Sequence, residues 1–446
     1  MSPESLPAET LAQRYAEARL RDLGQALLPL DLPPRHPARR ATDCGLTALT
    51  GLPEAEPLHC IAPLAAAADG LLAALKALAP SGDWADLDGA ALLTARAADF
   101  GHRRAGAVSA GGSCRLLTAA NGGLALNLAR PEDWDLMPAW LGASVSAEDW
   151  AAVARAVAVQ RVEALVSGGR ELGLAVAADV LPPAQPWCVA QGGGAAADAP
   201  SRPPRVLDLT ALWAGPLCGD LLRRCGAEVV KLESTGRPDG ARRGPKAFFD
   251  RLNGGKHMAA LDFATPEGRA GLQALAAQAD LILEASRPRA LRQLGLVAED
   301  WLAARAGRVW VSLSGYGRAD PQGDWVAFGD DAGVAAGLSA LLHETTGTRA
   351  FVGDAIADPL TGLHAALAAW SAWRLGGGRL LSLSLAGTVN TVLRHELPPT
   401  ADARRARHRD WAEHGGTATL PQALPPPAIA GALGADTDVI RARWAC

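Results

Sequence analysis

The strongest constraint on the fold of this chain is the alternation of strand and helix patterns that begins at Arg205. Short apolar runs rich in Val, Ile and Leu are separated by helical segments of about 10 to 15 residues, which is typical of a parallel sheet with helices on its faces. The candidate strands are VLDLT (206–210), AEVVKLE (227–233), DLILEA (280–285) and RVWVSLSG (308–315). This pattern predicts an α/β fold whose large domain is a Rossmann-like parallel sheet.

Pro-rich stretches divide the rest of the 446 residues, a length that predicts roughly two or three domains. Residues 181–204 are rich in Pro, Gly and Ala and have no helical or strand period, which predicts a linker. A second stretch, LPPT at 397–400, precedes an Arg-rich tail. The predicted division is an N-terminal helical extension (1–41), a first region (42–180), the linker (181–204), the sheet domain (205–395) and a C-terminal tail (396–446).

Composition and charge argue against several classes of function. The chain carries 43 basic and 47 acidic side chains, so a surface for nucleic acid or for an acidic membrane is not indicated. Its most apolar stretch, near 360–373, is interrupted by polar residues and is shorter than the roughly 18 residues of a membrane span. The first residues lack the apolar core of a signal peptide. Seven scattered Cys residues without a CxxC pair favour a reducing cytoplasm and predict neither a disulfide framework nor a metal site.

An internal repeat links the two halves of the chain. Residues 45–75 align without a gap on residues 337–367, and ten aligned positions are identical. Nine of the identities fall in two blocks with the same spacing, GL-AL and GL-AAL, although Ala- and Leu-rich helices also match by chance. The residue equivalent to Asp358 in the first copy is Ala66, so this carboxyl group occurs in one copy only.

The first strand of the sheet pattern leads into DLTALWAGPLCGDLL (208–222), where small residues precede a helix. The N–H groups and positive end of a helix at such a turn favour an anion, such as the phosphates or the pantetheine arm of a nucleotide cofactor. The alternative is a tight strand-to-helix turn without a ligand. No GxGxxG follows this strand, and Gly315-Tyr316-Gly317 lacks the third glycine, so NAD binding is not indicated.

Two further motifs place charged side chains beside glycine or proline. In NGGK (253–256), two glycines allow a ligand to approach the backbone, and Lys256 is one of only four lysines. A solvated loop lysine is the alternative there. In VGDAIADPLTG (352–362), Asp354 and Asp358 precede an apolar helix whose free N–H groups favour a carboxylate. The alternative is that Asp358 is only a helix N-cap, with Pro359 at the first helical position.

Together these stretches resemble class III CoA-transferases, the formyl-CoA and carnitine-CoA transferase family. The resemblance runs in order through VLDLTALWAGPLCGDLLRRCGAEVVKLE, NGGKHMAALDFATPEGRAGL, ADLILEASRPRALRQLGL, RVWVSLSGYG and GDAIADPLTGLHAALAAW. It implies that Asp358 is the nucleophile and that coenzyme A arrives as a thioester substrate, with no permanently bound cofactor. The CoA contacts that it implies are Trp213, Ala214, Gly215, Asn253, Lys256, Ala285, Ser286, Arg287, Gly315 and Gly317.

The N-terminal half carries a displaced part of the same resemblance. Residues 45–75 are similar to the family's Asp-bearing helix segment, and CRLLTAANGGLALNLARPEDW (114–134) is similar to the hairpin of its small domain. The resemblance therefore implies a smaller α+β domain within 42–180 and a permuted order of the enzyme's parts, with one active site per chain. Gly111-Gly112 is the candidate for the family's flexible glycine-rich loop.

The function implied by the resemblance is transfer of CoA from an acyl-CoA to a small carboxylic acid through an aspartyl-CoA thioester. The resemblance also implies a homodimer. The nearest alternative is an α-methylacyl-CoA racemase or epimerase, which needs a His where this chain has Phe328-Gly329-Asp330-Asp331. His364 follows Asp358 by nearly two helical turns and is interpreted as a packed helix residue. A non-catalytic CoA-binding protein is the third hypothesis.

Overall fold

The structure, a computed structural model, describes residues 10–85, 87–198 and 202–444. The first nine residues of the expected extension, residues 199–201 of the expected linker, and Cys446 lie outside the described residues. The strands are β1 (Cys114–Ala119), β2 (Gly122–Asn127), β3 (Ala175–Ala178), β4 (Cys188–Gly192), β5 (Arg205–Asp208), β6 (Glu228–Ser234), β7 (His257–Leu261), β8 (Leu281–Glu284), β9 (Val309–Ser314) and β10 (Arg379–Ser384).

The α-helices of the first half are α1 (Leu11–Asp22), α2 (Pro37–Asp43), α3 (Leu64–Leu78), α4 (Ala95–Phe100), α5 (Met137–Leu141), α6 (Trp150–Ala158) and α7 (Val162–Glu171). Those of the second half are α8 (Ala214–Arg224), α9 (Lys246–Asn253), α10 (Pro266–Gln278), α11 (Pro288–Gln293), α12 (Ala298–Ala303), α13 (Gly329–Ala335), α14 (Leu338–Thr346), α15 (Ala357–Arg374), α16 (Leu385–Arg394), α17 (Ala401–Gly415) and α18 (Thr437–Arg443). Within the described ranges, none of these helices combines the length and the apolar character needed to cross a membrane.

The large sheet has the strand order β4-β10-β9-β8-β5-β6-β7. The six strands β10, β9, β8, β5, β6 and β7 are parallel to their neighbours, and β4 at the edge is antiparallel to β10. This is the order of a doubly wound sheet, in which the chain reverses its direction of progress between β5 and β8. The predicted α/β class with a Rossmann-like parallel sheet is confirmed.

The segment expected to be a linker contributes a strand to this sheet. Within 181–204, β4 pairs with β10, with Val189 opposite Ser382. Four of its five residues are exposed, because it lies at the edge of the sheet. A solvated edge strand has no buried face, so it leaves no apolar alternation for sequence reasoning to detect. The segment is therefore part of the sheet rather than only a spacer.

A second, smaller sheet lies in the first half of the chain. It has the order β1-β2-β3, with antiparallel pairing throughout. Its apolar face packs against the helices that follow β2, in a core that includes Leu124, Leu126, Trp140, Val153 and Leu165. A small sheet covered by helices is an α+β arrangement, which confirms the expected smaller domain.

Helix α15 lies at the centre of the protein. Of its 18 residues, all are buried except Asp358 near the start and Arg374 at the end. It crosses α8 closely at Gly362, where a Cβ would lie 2.8 Å from the carbonyl oxygen of Ala214 and 3.0 Å from the side chain of Leu217. A helix covered on every side has no polar face, so a carboxyl group on it needs a specific reason.

The N-terminal half of the chain covers α15 from the other side. Helix α3, from the first copy of the repeat, packs against both α15 and α1. The Tyr15 hydroxyl of α1 lies 2.6 Å from Nε2 of His364, whose Nδ1 is 2.7 Å from the carbonyl oxygen of Leu360. Burial lowers the pKa of His364 to about 3. His364 is therefore a neutral packed residue, in agreement with its interpretation from the sequence.

Candidate active site

Asp358 lies in the first turn of α15, at the second helical residue. The cap position is Ile356, and the N–H of Asp358 donates to the carbonyl oxygen of Ala355 at 3.0 Å. The interpretation of Asp358 as an N-cap is therefore wrong. Its side chain remains partly exposed at the end of an otherwise buried helix. This is the position that a reacting carboxyl group requires.

The backbone just before Asp358 is strained. Ala355 has a φ of 43°, in the left-handed region that residues with a Cβ rarely adopt, and Gly353 has a φ of 75°. The N–H of Ala355 donates to Oδ1 of Asp330 at 2.8 Å, which ties this turn to the first turn of α13. Strain of this kind persists only where the surroundings enforce it, and it concentrates at functional sites.

Gly329, the first residue of α13, lies directly against the carboxyl group. A Cβ at this position would overlap Oδ2 of Asp358 and the carbonyl oxygen of Ala355. Glycine is needed here for space, since its backbone φ is not in the left-handed region. Because Gly329 has no side chain, α13 can approach α15 closely, and little space remains around the Asp358 carboxyl group.

The carboxyl group of Asp358 has a raised pKa of about 7. Burial is the largest cause, and the neighbouring carboxyl groups of Asp330 and Asp354 raise the pKa further. The Arg96 guanidinium and the N–H of Ala214 oppose these effects and favour the carboxylate. A pKa near neutrality means that a small change in the surroundings decides how much of this group is ionised.

The turn between β5 and α8 supplies the N–H that faces Asp358. Leu212 has a φ of 69°, and its N–H donates to Oδ1 of Asp239 at 2.9 Å, which holds the turn in this conformation. Helix α8 then begins at Ala214. The expected anion-binding turn is thus directed toward a carboxyl group of the protein itself. Trp213 is nearly buried and packs edge-on against Phe248.

Arg96 and His102 join this site from the N-terminal half, and sequence reasoning missed both. Nη1 of Arg96 donates to Oδ1 of Asp354 at 2.6 Å. Nδ1 of His102 lies 3.2 Å from Oδ2 of the same carboxyl group, which is fully buried. Nothing in the linear sequence relates residues near 100 to residues near 354. The one available signal is Asp354 itself, because a carboxylate beside another carboxyl group needs a countercharge.

Gly111, half of the expected glycine-rich loop, lies beside the same group of side chains. A Cβ on Gly111 would lie 3.6 Å from Nη2 of Arg96, 3.6 Å from Cε1 of His102 and 4.0 Å from Oδ1 of Asp354. Gly111 and Gly112 are both exposed. The segment therefore borders the site on its solvent side.

The structure does not bring Asn253 and Lys256 to an open surface. Nζ of Lys256 is fully buried and donates to Oδ2 of Asp208 at 2.9 Å, to the carbonyl oxygen of Pro216 at 2.8 Å and to Oδ1 of Asn253 at 3.1 Å. These three acceptors use the three N–H donors of the ammonium group. The solvated-lysine alternative is therefore wrong, and a direct bond from this side chain to CoA is not supported.

The other expected CoA contacts lie in loops at one edge of the sheet. Ala285–Arg287 follow β8, and Gly315 and Gly317 follow β9, so both loops share the carboxyl edge with the turn before α8. This is the edge at which doubly wound sheets bind ligands. The N–H of Gly317 already donates to Oγ of Ser314 at 3.0 Å. Gly215 packs against the Thr210 side chain. Contact of these residues with CoA stays a prediction.

A cavity and a metal-like cluster lie apart from Asp358. The cavity of about 870 Å³ is lined by parts of β2, β3 and α7, by the loop near Trp325 and by Arg349.

The cluster comprises His36, Asp410 and His414, whose ligand atoms lie within 4.8 Å of one another. Nδ1 of His36 accepts the N–H of Ala38 at 3.3 Å, so its proton is on Nε2, which faces Asp410. With its proton on Nε2, His36 donates a hydrogen bond toward Asp410 and has no free lone pair for a metal ion.

Comparison with known proteins identifies the second half of the chain. The family model described as CoA-transferase family III matches residues 204–421. This match spans 218 of the 446 residues, just under half of the chain. The expected resemblance to class III CoA-transferases is confirmed, and it covers β5 to β10, α8 and the Asp358 turn.

Several curated relatives of the family III region are named CoA-transferases. A succinyl-CoA–D-citramalate CoA-transferase of Chloroflexus aurantiacus is 31% identical over 214 residues, which are 44% of this chain and 53% of that protein. A succinate–glutarate CoA-transferase of Agrobacterium fabrum is 28% identical and covers 45% of this chain and 55% of that protein. The chain spans about half the length of the curated relatives that it matches. The crystal structure of a CAIB/BAIF family protein from Brucella suis is 26% identical, has a TM-score of 0.41, and covers 50% of this chain and 60% of that chain.

Proposed function

We propose that this protein transfers CoA from an acyl-CoA thioester to a small carboxylic acid, with Asp358 as the covalent nucleophile. The observation that carries the proposal is the partly exposed carboxyl group, with a pKa of about 7, on the otherwise buried helix α15. The family III match over residues 204–421 supports the reaction class. The named relatives act on succinyl-CoA, citramalate, succinate and glutarate, which supports small carboxylic acids as the substrate class here.

The first half of the proposed reaction forms a thioester on Asp358. Its carboxylate oxygen attacks the carbonyl carbon of the acyl-CoA, the carbon–sulfur bond breaks, and CoA leaves as a thiolate. The thiolate then attacks Cγ of Asp358 in the mixed anhydride, and the donor acid leaves as a carboxylate. The aspartyl-CoA thioester keeps the energy of the original bond, which is the advantage of covalent catalysis in this exchange.

The second half reverses these steps with the acceptor acid. Its carboxylate attacks Cγ of Asp358 and displaces the CoA thiolate, which gives a new mixed anhydride. The thiolate attacks the acyl carbon of the acceptor, and the Asp358 carboxylate is regenerated. No proton enters or leaves, so the side chains around Asp358 have to balance negative charge. Water must also be kept away from the anhydride and the thioester, and we propose that Gly111-Gly112 covers the site during turnover.

CoA is proposed to bind along the carboxyl edge of the parallel sheet. The loops after β5, β8 and β9 meet there, which supports contacts from Ala214, Ala285–Arg287 and the backbone near Gly315. The N–H of Ala214 faces the carboxyl group of Asp358. We also propose a cytoplasmic homodimer, and a permuted order of the family's parts with its boundaries near 42, 181, 205 and 396.

The decisive experiment detects the covalent intermediate. The protein is incubated with a panel of acyl-CoA esters without an acceptor, digested, and examined by mass spectrometry for CoA on the peptide that contains Asp358. Asp358→Asn should abolish the adduct, and Asp402→Asn, a change at an exposed carboxylate of α17, should leave it unchanged. Normal CoA binding without an adduct from any ester would instead favour the non-catalytic hypothesis.

His102 gives the racemase hypothesis one specific observation. The sequence has no His beside Asp330, but the fold brings the His102 imidazole within 3.2 Å of Oδ2 of Asp354, next to Asp358. A His and a carboxyl group are the two bases that proton exchange at the α-carbon requires. Exchange of the α-proton of an acyl-CoA in D₂O, without exchange of the acid, would favour this second function.

A further inference from the structure

The guanidinium group of Arg96 lies among three carboxyl groups of the candidate site. It is hydrogen-bonded to Asp354, and its charge favours the ionised forms of both Asp330 and Asp358. Arg96 belongs to α4, outside the family III region. The N-terminal half of the chain therefore supplies positive charge to a site whose nucleophile belongs to the other half.

Arg96 also keeps donors available for a ligand. A guanidinium has five N–H donors, and the hydrogen bond to Asp354 is made by Nη1. The side chain is 22% exposed, so it is not sealed within the protein. Its Cζ atom lies 4.9 Å from the Phe100 ring and 5.6 Å from the Trp213 ring. These aromatic walls exclude water from two sides, which strengthens the attraction of the cation for an anion.

We propose that Arg96 binds the carboxylate of the acid that accepts CoA. This inference rests on the proposed function. The acceptor carboxylate has to reach Cγ of Asp358, in a place that already holds the negative charges of Asp330 and Asp354. A second anion enters such a place only beside a countercharge, and Arg96 is the cation whose field reaches all three carboxyl groups. A planar guanidinium also matches a carboxylate in geometry.

Asp354 and His102 act as positioning residues in this arrangement. Asp354 is fully buried and accepts Nη1 of Arg96 at 2.6 Å, which fixes the direction of the guanidinium plane. His102 lies against the other oxygen of Asp354 at 3.2 Å. The positions corresponding to Asp354 and Asp358 in the first repeat copy are Ala62 and Ala66, so neither carboxyl group has a counterpart there.

The test compares a carboxylate acceptor with a neutral nucleophile. The Asp358–CoA adduct is formed with an acyl-CoA, and its cleavage is then followed either with succinate or with hydroxylamine, which is uncharged near neutral pH. In Arg96→Gln we expect the KM for succinate to rise about 10- to 100-fold, the loss expected for a charged hydrogen bond, with a smaller change in kcat. Cleavage by hydroxylamine should change less than about threefold, because this nucleophile does not need the cation.

Two variants control this comparison. Arg103→Gln removes an exposed cation from the same segment and should leave both reactions unchanged. Arg96→Lys keeps the charge without the planar fork, and we expect an intermediate KM for succinate together with a native melting temperature.

The outcomes separate the two proposals. An unchanged KM for succinate in Arg96→Gln overturns the role of Arg96 while the transfer mechanism stands. Equal losses with succinate and hydroxylamine in both Arg96 variants also overturn it, because that pattern belongs to a structural clamp between α4 and the Asp354 turn. Failure of the unaltered protein to form the adduct overturns the proposed function, and this inference with it.

Discussion

Gly329 and Asp358 are in direct contact, and no side chain larger than hydrogen fits between them. The contact joins the first turn of α13 to the first turn of α15, and the hydrogen bond from Ala355 N–H to Asp330 closes the same junction. The orientation of the Asp358 carboxyl group, the proposed nucleophile, therefore depends on a residue that has no side chain.

We expect Gly329→Ala to damage the site more than the fold. The new methyl group displaces the Asp358 carboxyl group or shifts the Ala355 carbonyl, and overpacking of this kind costs about 1–3 kcal/mol of stability. Adduct formation should fall by more than about tenfold, since an orientation error acts on the reaction directly. Gly192→Ala is the matched control, because a Cβ at that position meets no atom within 4 Å. Full activity of Gly329→Ala would contradict the proposed close contact between Gly329 and the Asp358 carboxyl group.

The rate of adduct formation should rise with pH through a midpoint near 7. In the proposed reaction the carboxylate of Asp358 is the attacking form, and burial raises the pKa of this group to about 7. Below this midpoint the rate should fall roughly tenfold per pH unit, as for one required ionisation. Arg96 lowers this pKa, so the midpoint of Arg96→Gln should move to higher pH. The measurement is the initial rate of adduct formation at saturating acyl-CoA; a midpoint near 4 would contradict the assigned environment of Asp358.

The raised pKa of Asp358 also makes the free energy of unfolding depend on pH. In the unfolded chain the pKa of Asp358 is about 3.9, and in the folded protein it is about 7. The folded state therefore binds more protons between these values, and the contribution of Asp358 to stability is lost as the pH rises from 4 to 7. Asp358→Asn avoids this loss. We expect it to be more stable than the unaltered protein by about 2 kcal/mol at pH 8, a value reduced for partial exposure.

Denaturant unfolding at two pH values checks this expectation. The difference in unfolding free energy between Asp358→Asn and the unaltered protein should be large at pH 8 and under about 0.5 kcal/mol at pH 4, because at pH 4 the carboxyl group is protonated in the folded state and about half protonated in the unfolded state. Asp402→Asn, at an exposed position, should show no such pH-dependent difference. Equal stabilities of Asp358→Asn and the unaltered protein at pH 8 would indicate that the carboxyl group is well solvated.

Local sequence patterns are sufficient to predict those helices and strands that depend on helix capping or on continuous burial. Thr265, Pro266 and Glu267 form a typical local signature of a helix start. In the structure Oγ1 of Thr265 accepts the N–H of Gly268 at 3.0 Å, and α10 begins at Pro266. The parallel strands were readable because buried strands are continuously apolar. The edge strand β4 was not readable, since exposed residues in an edge strand do not have to be apolar.

Some residues of the candidate site can be identified from local sequence, whereas others join it only through tertiary packing. Asp358 could be found because its turn, proline and apolar helix are contiguous in the chain. Arg96 and His102 could not, since they meet Asp354 only through packing of the N-terminal half onto α15. Lys256 was recognised as unusual, but its burial depends on Asp208 and Pro216, which lie more than 35 residues away.

Lys256 provides a final test of the difference between a ligand contact and a structural ion pair. Its removal in Lys256→Met leaves the Asp208 carboxylate buried without its partner, and breaking a fully buried pair costs about 3–5 kcal/mol. Burial lowers the pKa of Lys256, against the attraction of Asp208. Lys246→Met removes a largely exposed partner of Asp250 and should cost less than about 1 kcal/mol.

The readout is the midpoint of denaturant unfolding together with the KM for acyl-CoA. If Lys256 is structural, Lys256→Met should unfold at lower denaturant, whereas the molecules that remain folded should bind acyl-CoA with a KM within about threefold of the original. A direct contact with CoA predicts the opposite, with a KM raised more than about tenfold and an almost unchanged unfolding midpoint. Because Nζ already has three protein acceptors, we expect the first result.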